Sequence, residues 1–261
     1  MKVVLFCGGL GMRLREFSEN IPKPMVPIGH RPIVWNLMKF YSHYGHKDFV
    51  ICLGHNAHVI KQYFLKYDEC LTNDFVLEAG KPHLTKTDIH DWKITFADTG
   101  LKSNIGMRLK AVEKYLDDLG PDDMFMANYA DGLSDVPLDD MLEFFKKSGK
   151  TACFLCVQPQ QSFHYVRLND DGTVHSIQDT TNTGLTVNGG FFIFKKRIYE
   201  YIQDGEELVH EPFERLIAEN ELVAYRYDGF WKCMDTFKDK QAFDELNASG
   251  DCPWQVWREK V

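Results

Sequence analysis

The sequence predicts an α/β fold built on a mostly parallel sheet, and three observations carry that prediction. Short apolar runs of strand length recur along the 261 residues, helical patterns lie between several of them, and the first run empties into a glycine-rich turn. Alternation of strands with amphipathic helical segments is the pattern of a sheet closed by crossover helices. A chain of this length with 44% hydrophobic and 26% charged residues buries one sizeable core, so residues 1–261 are read as a single domain.

In chain order, the strand candidates begin with Val3 to Phe6 and Asp48 to Leu53, both nearly unbroken apolar runs, followed by Lys93 to Ala97 and Met124 to Asn128. Thr151 to Val157, Gly189 to Phe194 and Leu222 to Tyr227 complete them. Helical spacing of apolar residues marks Ile33 to Tyr44, Val59 to Leu65, Arg108 to Tyr115 and Asp139 to Lys147. Later, Pro212 to Glu219 and Thr236 to Leu246 read as helices, the second closing a small C-terminal subdomain before Trp254 and Trp257. Two stretches break the rhythm. Cys70 to Asp91 is polar and reads as an excursion or irregular insertion, whereas Tyr165 to Gln178 alternates around Asp170-Asp171-Gly172 and predicts a β-hairpin overhanging the sheet.

The charge balance of 30 basic against 38 acidic residues, net -8, argues against a protein that grips nucleic acid or an anionic membrane. A local basic pocket is still compatible with it. No apolar run approaches the roughly eighteen residues of a membrane span or forms a signal sequence, so a cytoplasmic location is expected. The seven cysteines fall largely in apolar runs and read as reduced thiols; Cys153-x-x-Cys156 has no second pair for a zinc site. His43-x-x-His46 and His55-x-x-His58 likewise lack a third ligand.

Chemistry concentrates first at the N-terminus. After Phe6, the stretch Gly8-Gly9-Leu10-Gly11-Met12-Arg13 offers backbone N–H groups and positive charge to an anion. It is not a dinucleotide fingerprint, because Leu14 stands where the third glycine belongs, and no P-loop is present. Lys23 lies between Pro22 and Pro24, which limit backbone freedom and present its ammonium at low entropic cost. The plain alternative is a tight surface turn beside solvated cations. Asp131 follows the Met124 to Asn128 run, and the C-terminal edge of a strand is where open α/β sheets bind ligands. A carboxylate there suits a divalent cation that keeps several waters. Asp235 could partner it or cap the following helix, and Glu206, Glu207 and Glu211 could favour a helix N-terminus.

The ordered set Gly8-Gly9-x-Gly11-x-Arg13, Pro22-Lys23-Pro24-Met25, Asp98-Thr99-Gly100 with Gly106-x-Arg108, Tyr129-Ala130-Asp131-Gly132, Asn188-Gly189-Gly190 and Gly229-Phe230-Trp231 through Asp235-Thr236 resembles the sugar-1-phosphate nucleotidylyltransferases. It is most similar to their glucose-1-phosphate cytidylyltransferase branch, over nearly the whole chain.

The resemblance implies a Rossmann-like nucleotidyltransferase sheet, with residues of about 1–160 binding nucleotide and about 161–261 binding the acceptor and forming the C-terminal part. It implies a Mg²⁺-dependent cytidylyltransferase that couples CTP to a small phosphate- or phosphonate-bearing acceptor and releases pyrophosphate, in a homo-oligomer. Catalytic roles then fall to Arg13, Lys23 and Asp131, and metal binding to Asp131 and Asp235. Nucleotide contacts fall to Phe6, Gly8, Gly9, Leu10, Gly11, Met12, Arg13, Lys23, Ser103, Arg108 and Asn128. The acceptor side would comprise His164, Tyr165, Gln178, Asp179, Asn188, Gly189 and Trp231, though Trp231 equally reads as core.

That side departs from the family. Gln178-Asp179-Thr180 stands where the family has Glu-Lys-Pro, and His164-Tyr165 replaces its small Gly-Ala pair. An acceptor phosphate thus loses a lysine and meets a carboxylate. Either another cation such as His164 or Arg167 compensates, or the acceptor is no longer glucose 1-phosphate. Use of UTP or dTTP, and a nucleotide-binding regulatory protein without turnover, are the remaining alternatives.

Overall fold

A computed structural model of the chain describes residues 1–9, 21–159, 164–179 and 184–258. Leu10, Gly11, Met12, Arg13 and Thr180, singled out from the sequence, lie outside the described residues. The first half contributes strands β1 (Lys2–Phe6), β2 (Pro27–Ile28), β3 (Arg31–Pro32), β4 (Asp48–Leu53), β5 (Phe75–Glu78), β6 (Lys81–Leu84), β7 (Lys93–Asp98) and β8 (Met124–Asn128). The second half adds β9 (Gly132–Ser134), β10 (Ala152–Val157), β11 (His164–Leu168), β12 (Val174–Asp179), β13 (Val187–Lys195), β14 (Leu222–Tyr227) and β15 (Trp231–Cys233). The α-helices are α1 (Ile33–His43), α2 (Ala57–Leu65), α3 (Ile105–Ala111), α4 (Leu138–Ser148), α5 (Glu211–Ala218) and α6 (Phe237–Ser249).

Seven strands form the central sheet in the order β14-β10-β13-β8-β1-β4-β7, and within it only β13 runs antiparallel to its neighbours. The unbroken apolar runs follow from burial on both faces. Along β1, Val3 and Leu5 enter one core cluster while Val4 and Phe6 enter the other, as strand pleating requires. The first cluster gathers α1 through Leu37 and Phe40, α4 through Phe145 and α6 through Phe243; the second gathers α3 through Leu109 and α5 through Phe213 and Leu216. Trp254 joins the first cluster, fully buried, with its indole N–H donated to Asn36 at 3.2 Å.

The Cys70 to Asp91 stretch is more ordered than its polarity suggests. It carries the antiparallel hairpin β5–β6, turned at Ala79 and Gly80, both in the left-handed region. Its strands are exposed on both faces, so no buried face imposes the alternation that sequence reading depends on. The second hairpin, β11–β12, forms where the Asp-Asp-Gly signal places it. All seven cysteines are free thiols, and among the described residues no helix is long and apolar enough to cross a membrane.

Candidate active site

Strands β1 and β8 run parallel with Leu5 opposite Asn128, so the segments leaving them emerge at the same edge of the sheet. One carries Cys7 to Gly9 and the other Tyr129 to Asp131. Asn128 shapes the second turn: its side-chain oxygen accepts from the Ala130 N–H at 3.0 Å while Ala130 adopts φ +62, and its amide donates to Tyr41 Oη at 3.2 Å. Asn128 therefore supports Asp131 from behind, and it is not part of the cavity lining.

Asp131 meets Asp235 from the far end of the chain. The short ladder between β9 and β15 brings them together, and the Met234 N–H donates to the Asp131 carbonyl at 2.8 Å. Helix α6 is capped by Thr236, whose side chain and that of Asp239 form a reciprocal capping box, so the cap is supplied without Asp235. Lys23, in a 3-10 turn over Lys23–Met25, inserts its ammonium between the carboxylates, 2.7 Å from Asp131 Oδ2 and 2.5 Å from Asp235 Oδ1. Burial works against the charge on Lys23, but the two aspartates outweigh it and raise its pKa, so it stays a cation. Burial, reinforced by Asp235 and opposed by Lys23, raises the Asp131 carboxyl above the ordinary range.

The two carboxylates converge on one cation, the Lys23 ammonium, and paired carboxylate oxygens are the donor type that a hard divalent cation takes. Magnesium typically uses one or two carboxylates and completes its shell with water and phosphate oxygens. Among the described residues no cluster of three or more His, Cys, Asp or Glu side chains assembles a closed metal cage.

A cavity of about 230 Å³ opens beside this cluster, lined by Phe6, Gly9, Lys23, Ser103, Tyr129 and Asp131 and closed by Asn104, Ile105, Arg108 and Glu207. Arg108 is only 2% exposed and both terminal nitrogens of its guanidinium are engaged, donating to Gly8 O at 2.9 Å, Thr99 Oγ1 at 2.8 Å, Gly100 O at 3.0 Å and Leu53 O at 3.2 Å. It thereby ties the turn after β1 to the Thr99–Gly100 loop. Gly8 is glycine for the same reason, since a Cβ there would stand 2.0 Å from Arg108 Nη1. Ser103 donates to Thr99 O at 2.5 Å, and Asn104 caps α3 by accepting from the Met107 N–H.

Sequence reasoning missed Tyr129, Asn104 and Glu207 as lining residues. Glu207 accepts from the Ile105 N–H at 3.3 Å and the Leu208 N–H at 3.0 Å, docking its segment against α3 rather than favouring the N-terminus of α5. Gly106 was the available signal, because a Cβ there would lie 2.3 Å from Glu206 O.

The acceptor candidates separate into two groups. Asn188 and Gly189 begin β13 near Tyr129, with Asn188 Nδ2 3.4 Å from Tyr129 Oη. Trp231 is 9% exposed and donates its indole N–H to Gly189 O at 2.8 Å, which makes it part of the floor under this segment. His164, Tyr165, Gln178 and Asp179 lie on the β11–β12 hairpin, all exposed and none lining the cavity. Their register is informative: His164 opposes Asp179 and Tyr165 opposes Gln178, with His164 Nε2 3.2 Å from Asp179 Oδ1. The residues that depart from the family pattern are thus cross-strand partners.

Comparison with known proteins fits this geometry. The glucose-1-phosphate cytidylyltransferase of Salmonella typhimurium is 36% identical over 260 residues, covering 98% of this chain and 100% of that protein. A probable glucose-1-phosphate cytidylyltransferase of Bacillus subtilis is 32% identical over the same coverage. Among solved structures, a UDP-glucose pyrophosphorylase complexed with UDP-glucose superimposes with a TM-score of 0.69 at 14% identity, covering 95% of this chain and 98% of the other. HddC from Yersinia pseudotuberculosis gives 0.66 at 19%, covering 94% and 99%. At such identities these two structures speak for the fold alone. With residues 2–239 matching the nucleotidyl transferase family and full-length relatives above 30% identity, this chain belongs to the nucleotidyl transferases.

Proposed function

We propose that the protein is a Mg²⁺-dependent cytidylyltransferase that joins CTP to a phosphate-bearing acceptor and releases pyrophosphate, yielding a CDP-activated sugar or related product. The observation that carries this reading is the meeting of Lys23, Asp131 and Asp235 at the cavity beside the ends of β1 and β8. The choice of cytidine rests on the full-length relatives named as cytidylyltransferases.

An acceptor phosphate oxygen attacks the α-phosphorus; the bond to the β-phosphate oxygen breaks, and its electron pair leaves with pyrophosphate. No protein nucleophile is needed, so the protein contributes positioning and charge. Asp131 and Asp235 would hold the magnesium ion, which supplies neutralisation of the phosphate oxygens. Lys23 remains protonated beside them and offers fixed positive charge where negative charge shifts toward the leaving group. Arg13 and the glycine turn extend this role. Phe6 and Tyr129 furnish aromatic walls, and Arg108 keeps the loops around the base rigid rather than meeting solvent.

A second reading concerns the acceptor. His164 and Asp179 pair across the hairpin, so the carboxylate that replaces the family's lysine is matched by a histidine that replaces a small residue. Paired changes at opposed positions favour an acceptor other than glucose 1-phosphate, bound by a homo-oligomeric enzyme. Pyrophosphate release with CTP, UTP, dTTP or GTP, magnesium, and a panel of sugar phosphates, small phosphates and phosphonates tests both readings. Release with CTP is expected; preference for another nucleotide overturns the cytidine assignment, and rapid turnover of glucose 1-phosphate overturns the altered acceptor.

A further inference from the structure

Glu207 reaches the candidate active-site cavity from a segment whose backbone is held independently of its own carboxylate. Glu206 pairs with Arg215 and accepts from the Gln203 N–H at 2.9 Å, Asn104 Nδ2 donates to Gly205 O at 2.9 Å, and Glu206 O lies against Gly106. The half-buried Glu207 carboxylate is fixed in turn, one oxygen accepting from the Ile105 N–H at 3.3 Å and the other from the Leu208 N–H at 3.0 Å. A carboxylate offers about four acceptor positions, so about half of that capacity is left beside the cavity it lines. The neighbouring polar groups are committed. Both terminal nitrogens of Arg108 donate to protein oxygens, Asn104 also accepts from the Met107 N–H at 2.9 Å, and Asp131 pairs with Lys23. Among the described residues no cation pairs with Glu207.

We propose that Glu207 reads the nucleotide base: its carboxylate accepts a hydrogen bond from the exocyclic amine of cytosine and so selects CTP over UTP and dTTP. This role rests on the cytidylyltransferase reading above and names the residue that enforces it. A fixed carboxylate repels phosphate and suits a neutral N–H donor, which cytosine presents at its amine. Uracil and thymine present a carbonyl at the same position, and two acceptors would then face each other with no proton between them, both stripped of water. The placement fits a base rather than the triphosphate. Glu207 is bonded to the first residue of α3, and Arg108 on that helix ties the turn after β1 to the Thr99–Gly100 loop, whereas Lys23 and Asp235 gather at Asp131. Because the segment carrying Glu207 is held by Arg215, Asn104 and Gly106, the acceptor is aimed before nucleotide arrives. A ribose hydroxyl is the other neutral donor of a nucleotide, but CTP and UTP share it, so selectivity between them separates the two contacts.

The test is nucleotide binding to the full chain by isothermal titration calorimetry, with magnesium and no acceptor, using CTP, UTP and the CTP analogue in which hydrogen replaces the exocyclic amine. Wild type should bind the analogue about 50-fold more weakly than CTP, the worth of one hydrogen bond to a charged group. Glu207→Gln keeps the size of the side chain and one oxygen for docking on α3, but it puts a donor where an acceptor stood. Its preference for CTP over UTP should therefore fall about 50-fold or more relative to wild type, and most of its discrimination between CTP and the analogue should vanish. Equal weakening of CTP and UTP in Glu207→Gln would overturn the base contact, leaving a docking or ribose role. Should the variant fail to fold, the wild-type comparison decides alone, and equal affinities for CTP and the analogue overturn the proposal. Tighter binding of UTP than of CTP by wild type would overturn the cytidine reading itself, whereas preference for CTP with an unchanged ratio in Glu207→Gln would overturn only the role of Glu207.

Discussion

Replacing Gly190 by alanine tests whether the approach of β13 to Tyr129 shapes the cavity. Gly190 sits at φ +77, and a Cβ there would lie 2.7 Å from Tyr129 Cδ2 and 3.3 Å from Cγ. Tyr129 cannot simply swing away. Its N–H donates to Gly190 O at 3.2 Å, and its ring packs edge to face on Phe192 at 5.1 Å. An alanine forced into the left-handed region costs about 1 kcal/mol, and overpacking against a held ring costs about 2 more. Reduced freedom of the unfolded chain returns about 0.5 kcal/mol. Gly190→Ala should therefore lose about 2.5 kcal/mol in urea unfolding, with an unchanged slope against denaturant. In a Tyr129→Ala background the steric part vanishes, so the same change should cost only about 0.5 kcal/mol. Since Tyr129 lines the cavity, Gly190→Ala should also raise KM for the nucleotide. A loss below about 0.5 kcal/mol in the wild-type background, or equal losses in both, would refute the close-contact argument.

Asp131→Asn should lower kcat by about 100-fold or more with little change in Tm, because it removes charge from the Lys23 cluster and the proposed metal site while the Met234 bond to its backbone carbonyl persists; wild-type turnover would overturn the proposal that Asp131 holds a metal. Burial, aided by the positive amino terminus 3.1 Å away, lowers the His46 pKa to about 4 from 6.5. His46 is thus neutral when folded and protonated when unfolded between those values, so stability should fall as pH drops from 6.5 toward 4, by up to about 3 kcal/mol. Denaturation of His46→Gln across that range should show a flatter acid limb, and an identical slope would count against the burial argument. Gln178→Glu with Asp179→Lys should raise activity toward glucose 1-phosphate and lower it toward the natural acceptor; no change in either would show that this end of the hairpin does not meet the acceptor.

The central sheet was readable because its inner strands are buried on both faces. Phe49 to Leu53 and Met124 to Ala127 are apolar without interruption, and the structure places strands over them at Asp48–Leu53 and Met124–Asn128. The β5–β6 hairpin was not readable, since exposure on both faces leaves no pattern of apolar residues to detect. Local chemistry was legible where the chain itself supplies the constraint, as with Lys23 between two prolines and the turn at Asp170-Asp171-Gly172. What only tertiary structure decided is which side chain meets which. Arg108 was expected to contact nucleotide, yet its guanidinium is committed to Gly8, Thr99, Gly100 and Leu53. Asp235 stands beside a helix capped locally by Thr236 and Asp239, and only the fold brings its carboxylate to Lys23. Glu207 reached the cavity through an approach that Gly106 alone permits. In each case the outcome turns on a hydrogen-bond partner a hundred or more residues away, Gly8 for Arg108, Lys23 for Asp235 and Ile105 for Glu207, and that distance is not written into local sequence; periodicity and turn chemistry are, which is why the fold and the positions of Lys23 and Asp131 could be read first.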